Sequence, residues 1–252
     1  MLSDRGRIWL VLMLRDIRSR RGRSAESFLL SLAEPIGQLL VVYFVFSVLN
    51  RRPGYGDSLL LFLLTGVLPY FQFTHVVGRI MGAIRVALPM LPLGAVSVID
   101  VAIAQFVLET LIVVGVGALL LVVFWMLGID EAVPRDLPRI VLAVLATGLV
   151  AFGVGVFNAS LVVFFVAYRL IWTLIARSLI FFSSVFFVVD ALTPELRDIL
   201  WWNPLLHGVT WFRTGIYGDY PADTLSVAYL VGFGLVALLL GLSMETLVRR
   251  RA

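Results

Sequence analysis

Residues 193–221 hold the side chains of this sequence that are best suited to binding a ligand. The segment reads TPELRDILWWNPLLHGVTWFRTGIYGDYP and contains three of the six tryptophans, two tyrosines, one of the two histidines and two arginines. It is neither apolar enough to cross a bilayer nor polar enough for an ordinary surface loop. Such a segment at a membrane surface favours two interpretations about equally, a pore mouth and an aromatic belt that only anchors the protein.

Local signals divide this segment into two short helices. The T-P-E at 193–195 supplies an N-cap, a proline at the first helical position and an acid near the helix N-terminus. The N-P at 203–204 repeats the cap and the proline, and Gly215 or Gly218 ends the second helix. That second helix presents two polar and aromatic faces, namely His207, Trp211 and Thr214 on one and Thr210, Arg213 and Tyr217 on the other.

The composition indicates an integral membrane protein, because 61% of the 252 residues are hydrophobic and only 14% are charged. All twenty basic residues are arginine. Without a lysine these residues contain no Walker A loop, which uses lysine on the β- and γ-phosphates of ATP. The absence of cysteine excludes disulfides and thiolate metal sites. Because His75 and His207 are far apart in the sequence, we also predict no metal site.

Hydropathy predicts the order of the membrane segments. The first 27 residues carry seven arginines around an apolar run too short to span, which favours an amphipathic interfacial helix over residues 1–27; a disordered basic tail is the alternative. Residues 79–93, broken by arginine and proline, predict a short helix over 79–88 and then a turn. Six longer apolar segments predict transmembrane helices, over residues 28–49, 58–77, 101–127, 139–166, 170–189 and 225–244.

The arginines set the predicted orientation. Six spans return the chain to its starting side, and with both termini in the cytoplasm fourteen arginines lie on that side and six on the other. This imbalance follows the positive-inside rule. We therefore predict an all-α, multi-pass membrane protein that forms one domain over residues 1–252. Its two short half-helices, within 193–218, would re-enter the membrane from the outer side before the last span.

Three of the polar side chains inside the predicted spans should face protein, water or a partner rather than lipid. Gln105 and Glu109 are four residues apart in the third span and should face protein or water rather than lipid. Arg177 lies in the fifth span, where an arginine usually faces a cavity or a partner. An anionic lipid phosphate or a carboxylated sugar would satisfy it. The alternative is that Arg177 extends to the cytoplasmic interface.

Taken together, these features resemble the membrane subunit of an ABC-2 type transporter. The resemblance covers the order of elements along the whole chain and is densest over about 177–220. Within the family, the sequence is most similar to the KpsM-like capsular polysaccharide exporters. The matching motif is an Asn-Pro-Leu followed by His, Arg and Gly, which are Asn203, Pro204, Leu205, His207, Arg213 and Gly215 here.

The resemblance implies a transport subunit without an active site of its own. Two copies would form the pore, and two copies of a separate cytoplasmic ATPase would bind ATP and magnesium, so that this chain holds no cofactor. The cargo would be an acidic or lipid-linked glycan crossing the inner membrane, with membrane lipids and periplasmic or outer-membrane export proteins as further partners and no nucleic acid. Apolar sugar faces stack on aromatic rings without a fixed hydrogen-bond geometry, which would let a polymer slide.

The resemblance also implies roles for particular residues. The segment 79–93 would be the coupling helix that docks on the ATPase, with a second contact around residues 168–171; the alternative for its arginines is binding of lipid phosphates. The coupling residues are Arg79, Arg85, Leu91, Pro92, Tyr168 and Arg169. The substrate-binding and translocation residues are Arg177, Trp201, Trp202, His207, Trp211, Arg213 and Tyr217, with Arg15 and Arg18 at the entry.

Two other classes of function remain as alternatives. An integral membrane enzyme acting on lipid or polyprenyl-linked substrates would need a cluster of acids or histidines at one membrane face. No acidic metal motif of the Asp-x-x-Asp type is present in the sequence. A non-catalytic assembly factor is the other alternative. A cytoplasmic ATPase subunit encoded in a neighbouring reading frame would distinguish the transporter from both.

Overall fold

The structure is a computed structural model that describes residues 4–21, 25–87, 96–165 and 167–251. Within these ranges the regular secondary structure is helical. Two short 3-10 helices lie at Asp130–Ala132 and Val189–Ala191. The helices are α1 (Asp4–Arg21), α2 (Ala25–Val48), α3 (Leu59–Ile80), α4 (Ala83–Ala87), α5 (Val98–Met126), α6 (Leu137–Phe164), α7 (Tyr168–Phe182), α8 (Pro194–Trp201), α9 (Pro204–Tyr217) and α10 (Val227–Arg251).

Four of these helices are long and apolar enough to cross a membrane, namely α3, α5, α6 and α10 over Leu59–Ile80, Val98–Met126, Leu137–Phe164 and Val227–Val248. The prediction of an all-α membrane protein is therefore confirmed. In α2, whose 24 residues match the first predicted span, the apolar part among the described residues is Ile36–Val48. The count of six spans and the side on which the termini lie stay predictions.

The fifth predicted span, 170–189, is corrected by the structure. Helix α7 ends at Phe182, and residues 183–188 are not helical. Fifteen helical residues reach about 22 Å, which is less than the roughly 30 Å of a bilayer's hydrocarbon core. The short helix predicted over 79–88 is also divided, because α3 extends to Ile80 and α4 covers only Ala83–Ala87.

The two short helices predicted within 193–218 are present as α8 and α9. Pro194 and Pro204 open them, and the Asn203 side chain accepts a hydrogen bond from the Leu205 N–H at 3.1 Å. Thr193 makes no such capping bond. Gly218 ends α9 with a φ of 80°, a conformation that glycine adopts without a steric penalty.

Helices α6 and α10 run parallel and touch through their backbones at glycines. A Cβ on Gly153 of α6 would lie 2.6 Å from the Leu238 N atom, and one on Gly241 of α10 would lie 2.8 Å from the Phe157 N atom. Gly234 faces α6 in the same way. Small residues bring membrane helices this close where side-chain volume would keep them apart.

Contacts between connections define two ends of the bundle. At the first, the α9 end, the Glu131 carboxylate accepts hydrogen bonds from the Asp57 N–H, and the Gly215 carbonyl accepts from the Arg135 N–H at 3.0 Å. At the opposite end, the α1 end, α1 packs on the start of α5, and α3 leads into α4. Since α6 ends and α7 begins there too, the coupling residues that the structure describes all lie at the α1 end.

Candidate functional site

Arg213 of α9 is the largest fully buried side chain and has no exposed surface. Its guanidinium donates to the carbonyls of Ser184, Val185 and Phe62 at 2.6, 2.9 and 3.1 Å. It also donates to the Phe187 carbonyl at 3.2 Å and to the Tyr220 hydroxyl at 3.1 Å. These residues, with Thr65, form the Arg213 cluster, which joins α3, α9 and the segment after α7.

The charge of Arg213 is stabilised by dipoles and ring faces. In the part of the chain that the structure describes, no carboxylate forms a salt bridge with it. The guanidinium carbon lies 4.0 Å above the centre of the Phe62 ring and 5.6 Å from that of Tyr220, distances at which a cation is attracted to a π face. A buried charge requires such compensation because desolvation is costly.

The same cluster explains why α7 stops at Phe182. The Arg213 guanidinium binds the carbonyls of Ser184 and Val185, which a continuing helix would use for its own hydrogen bonds. Ser184 has a φ of 60°, which is uncommon for a residue with a side chain. Gly66 of α3 allows the close approach, since a Cβ there would lie 2.7 Å from the Arg213 Nη2 atom and 2.8 Å from the Val185 carbonyl.

His207 of α9 joins α8 to the start of α10. Its Nε2 atom lies 2.8 Å from the Trp201 carbonyl, and its Nδ1 atom accepts a hydrogen bond from the Ser226 N–H at 3.2 Å. These partners fix the tautomer with hydrogen on Nε2. Burial lowers the pKa of His207, although the bond to the Trp201 carbonyl opposes the shift. The imidazole is therefore neutral near pH 7 and has both nitrogens in use.

Around His207 the structure brings together an aromatic patch, which consists of Trp201, Trp202, His207 and Tyr229. The Trp201 and Tyr229 rings lie 4.6 Å apart, and the Tyr229 hydroxyl donates to the Trp202 carbonyl at 2.6 Å. Trp202 is 69% exposed. The aromatic patch thus exposes the ring of Trp202, and the contacts among its other residues hold that ring in place. Tyr229 was missed in the sequence because it follows the predicted segment by eight residues and belongs to the last span.

Two further predicted translocation residues lie nearby but inside the fold. Trp211 is partly buried between the two parts of the hydrophobic core. Tyr217 is buried and packs edge-on against Tyr55 at 5.2 Å. Arg213 and His207 are also buried. Among the aromatic rings of α8 and α9, the exposed one is that of Trp202, so this ring can contact a ligand.

Helix α7 is an apolar helix that the rest of the described bundle covers poorly. None of its residues is buried, and Leu170, Leu174 and Phe181 are each more than half exposed. Arg177 lies on this helix and is exposed as well. It follows Tyr168 by nine residues, which places it about 13 Å along the helix. An exposed arginine on a membrane-embedded helix requires a polar partner or a water-filled space.

At the α1 end, Arg79 pairs with Glu109. The Arg79 Nε atom lies 3.1 Å from the Glu109 carboxylate, and the Glu109 side chain is only 3% exposed while that of Arg79 is 46% exposed. The expectation that Glu109 faces protein rather than lipid is therefore confirmed. The pair ties the last turn of α3 to α5 at the first residue of the segment assigned to coupling.

Helix α1 is held at the same end of α5. The Trp9 indole donates to the Asp100 carboxylate at 2.9 Å, and the Gln105 amide donates to Asp16 at 3.4 Å. Arg15, one of the two arginines assigned to substrate entry, is exposed on this helix; Arg18 lies one turn further along. Neither Trp9 nor Asp16 was identified from the sequence, because the sequence of α1 shows only a short apolar periodicity.

The structure describes some of the other predicted coupling residues and not others. Tyr168 opens α7 and donates its hydroxyl hydrogen to Asn158 of α6 at 2.8 Å, and Arg169 beside it is exposed. Arg85 lies in α4. Leu91 and Pro92 lie outside the described residues. Within the described ranges, no group of three or more histidine, aspartate or glutamate side chains is placed to hold a metal ion.

The fold and the comparison with known sequences define the class of protein. The sequence profile of the ABC-2 type transporter membrane family matches residues 8–217. This chain therefore belongs to the ABC-2 type transporter family, as the resemblance in its sequence had indicated. It is a membrane component of a transport system.

The chain is also similar over most of its length to particular curated proteins. It is 30% identical to the polysialic acid transport protein KpsM of Escherichia coli over 233 residues, 92% of this chain and 90% of KpsM. It is 27% identical over 243 residues to the capsule polysaccharide export inner-membrane protein BexB of Haemophilus influenzae, covering 96% and 91%. The corresponding protein CtrC of Neisseria meningitidis is 28% identical over 236 residues, covering 92% and 87%. The predicted inner-membrane location is confirmed by these relatives and the apolar helices.

Proposed function

We propose that this chain is the membrane-spanning permease of an ABC transporter that exports a capsular polysaccharide across the inner membrane. The observation that carries the proposal is the similarity to capsule exporters over at least nine-tenths of the chain. ATP hydrolysis would come from a separate subunit, since the 252 residues contain no lysine for a Walker A loop. In this arrangement the chain itself is not an enzyme, and ATP and magnesium bind to the partner.

The glycan would be acidic or lipid-linked. Arg177 on the exposed α7 and the ring of Trp202 support this cargo. A guanidinium binds a carboxylate or a phosphate through charge-assisted hydrogen bonds, and an aromatic face accepts the apolar side of a sugar. The remaining translocation residues would shape this surface. His207 and Arg213 do so because their hydrogen bonds hold α8 and α9 in place.

Two copies of the chain would form the pore, with α7 facing the partner copy. Exposed Arg177 supports this orientation, because lipid tails offer an arginine no partner. The chain contains no cysteine, so single cysteines can be introduced directly. With Leu170→Cys, Leu174→Cys or Phe181→Cys, a short bifunctional maleimide is expected to give a covalent dimer in membranes.

Leu142→Cys on α6 is the matched control for cross-linking, since Leu142 is 51% exposed on a different helix. It is expected to stay monomeric under the same treatment. Dimers from Leu142→Cys with none from the three α7 positions would place the partner on α6 and contradict this arrangement.

The α1 end would dock the ATPase through α4 and the residues around Tyr168. We expect the purified chain to have no ATPase activity alone and to form an active complex when it is co-expressed with its ATPase. Arg85→Glu is expected to abolish or strongly reduce that complex, because the charge reversal opposes acidic groups on the ATPase. The measurement is co-purification followed by ATP hydrolysis in detergent.

Arg52→Glu supplies the control, since Arg52 lies on the α2–α3 connection at the opposite end and should leave the complex intact. Failure of the unaltered chain to bind any ATPase would favour the membrane-enzyme alternative. A complex indifferent to Arg85→Glu would keep the class of protein and remove Arg85 from the docking site.

A further inference from the structure

His207 holds the start of α10 through a hydrogen bond that only a neutral imidazole can accept. Ser226 directly precedes α10, and its N–H donates to the His207 Nδ1 atom at 3.2 Å. The Ser226 hydroxyl and carbonyl in turn accept from the N–H groups of Tyr229 and Leu230 at 3.3 and 3.1 Å, which is how an N-cap residue begins a helix. The position of the first turn of α10 therefore depends on the acceptor that His207 supplies.

Protonation of His207 would replace this hydrogen bond with a repulsive contact, because both ring nitrogens of an imidazolium carry hydrogen. The Nδ1–H group would then face the Ser226 N–H group, and two donors cannot share a hydrogen bond. On the other side of the ring, the Nε2–H group would still donate to the Trp201 carbonyl, which lies 2.8 Å away. The charged ring would therefore release the start of α10 while it keeps α8 bound to α9.

The surroundings of His207 favour the neutral ring. The side chain is completely buried, and its ring centre lies 5.3 Å from that of Trp201 on α8 and 5.2 Å from that of Tyr229 on α10. Among the described residues, no charged side chain forms a hydrogen bond or an ion pair with His207. A buried charge without such compensation is costly, so the closed arrangement disfavours the imidazolium.

The charged groups of the helices around α9 are paired, bonded to carbonyls or exposed, namely Arg79 and Arg139 in ion pairs, Arg197 and Arg213 on carbonyls, and Glu195 and Asp198 at the surface. Glu245 of α10 lies about 28 Å along that helix from Ser226. Closer to the tether, the Asp190 carboxylate accepts from the Thr224 N–H at 3.1 Å, and Asp223 is exposed. Asp190 is therefore the acid for which a test of His207 has to control.

We propose that His207 is a pH-sensitive tether between α9 and α10. The neutral imidazole holds Ser226 and keeps the first turn of α10 against α9. The protonated imidazole releases that turn, and Tyr229 within it then no longer supports Trp202. Ser226 is half-buried and Val227 after it is exposed, so this segment can move without unfolding of the bundle. The switch goes beyond the transport role and does not depend on the cargo.

Acid should open the tether. An imidazole in water has a pKa of about 6.5, whereas burial lowers the pKa of His207 in the closed tether. The released form therefore binds protons more readily than the closed form. The tether stays closed above about pH 6.5 and opens progressively as the pH falls below that value. Between pH 7.5 and pH 5.5 the ratio of released to closed tether should rise about ten-fold.

The test is hydrogen exchange of the full-length chain in a fixed detergent, read by mass spectrometry at pH 7.5 and pH 5.5 and corrected for the intrinsic pH dependence of amide exchange. The peptide that contains Ser226 should show a local opening constant about ten-fold larger at pH 5.5, and peptides from α6 should show no change. His207→Asn should remove the response, because its amide oxygen accepts a hydrogen bond but does not titrate. Equal protection at both pH values in the unaltered chain would overturn the proposal.

Two further variants separate His207 from other titratable groups. Asp190→Asn and His75→Asn should both keep the response. A response that is lost in Asp190→Asn and kept in His207→Asn would assign the switch to Asp190 and overturn the proposal. His75→Asn also leaves His207 as the single histidine, so its imidazole ¹⁵N resonances are assigned directly. At pH 7.5 they should show hydrogen on Nε2. Hydrogen on Nδ1 would contradict the tether, and this measurement serves even where His207→Asn fails to fold.

Discussion

Arg213→Lys is expected to lower the free energy of unfolding by at least about 3 kcal/mol, because each buried acceptor that loses its donor costs about 1–3 kcal/mol. Lysine has three donors on one nitrogen, whereas the arginine fork reaches α3 and the segment after α7 at the same time. The carbonyls of Ser184 and Val185, which bind different arms of the guanidinium, cannot both keep a donor. The measurement is thermal or denaturant unfolding of the purified chain in a fixed detergent.

Arg177→Lys is the matched control for this experiment, since Arg177 is exposed and its replacement should change stability by no more than about 0.5 kcal/mol. Equal midpoints for Arg213→Lys and the unaltered chain would show that the Arg213 cluster does not stabilise the fold. Export should fall in parallel with stability, because α8 and α9 depend on the cluster for their position.

Arg79→Glu is the second substitution with a large expected effect. It would place a second carboxylate about 3 Å from the buried side chain of Glu109, and like charges at that distance strongly disfavour each other's ionised form. We expect loss of the α3–α5 connection and, on the proposed function, loss of ATP-driven export. The measurements are the unfolding midpoint and the ATPase activity of the complex.

The exchange variant Arg79→Glu/Glu109→Arg separates two roles of Arg79. If Arg79 acts through Glu109, the exchange restores both measurements, with an interaction energy of about 0.5–3 kcal/mol in the double-mutant cycle. If Arg79 contacts the ATPase directly, stability returns but the complex does not. Failure of the exchange to restore stability would mean that the ion pair is not what holds α3 to α5.

Features that depend on neighbouring residues could be predicted from the sequence. The N-P at 203–204 and the glycine at 218 set the limits of α9 through short-range geometry, and long apolar runs predicted α3, α5, α6 and α10. The class of transporter followed from the order of these elements together with a motif confined to 203–215. None of these inferences required knowledge of a distant contact.

The end of α7 could not be predicted in this way. Residues 185–189 are apolar, and the two serines before them carry no helix-stop signal such as glycine or proline. The helix is interrupted by a guanidinium that comes from Arg213, about thirty positions later in the chain. The pairing of Arg79 with Glu109 likewise joins positions thirty apart. Residue type alone did not predict which side chains are exposed. Arg213 and His207 belong to the motif that marks the family, yet both side chains are buried.

The glycine contacts between α6 and α10 have a mechanical consequence. Two helices whose backbones touch at Gly153, Gly234 and Gly241 cannot slide or rotate against each other without a collision of main-chain atoms. The two helices therefore move as one rigid unit during a transport cycle. Deformation must be taken up by elements with few contacts, above all α7, whose C-terminal end leads into the segment that Arg213 binds.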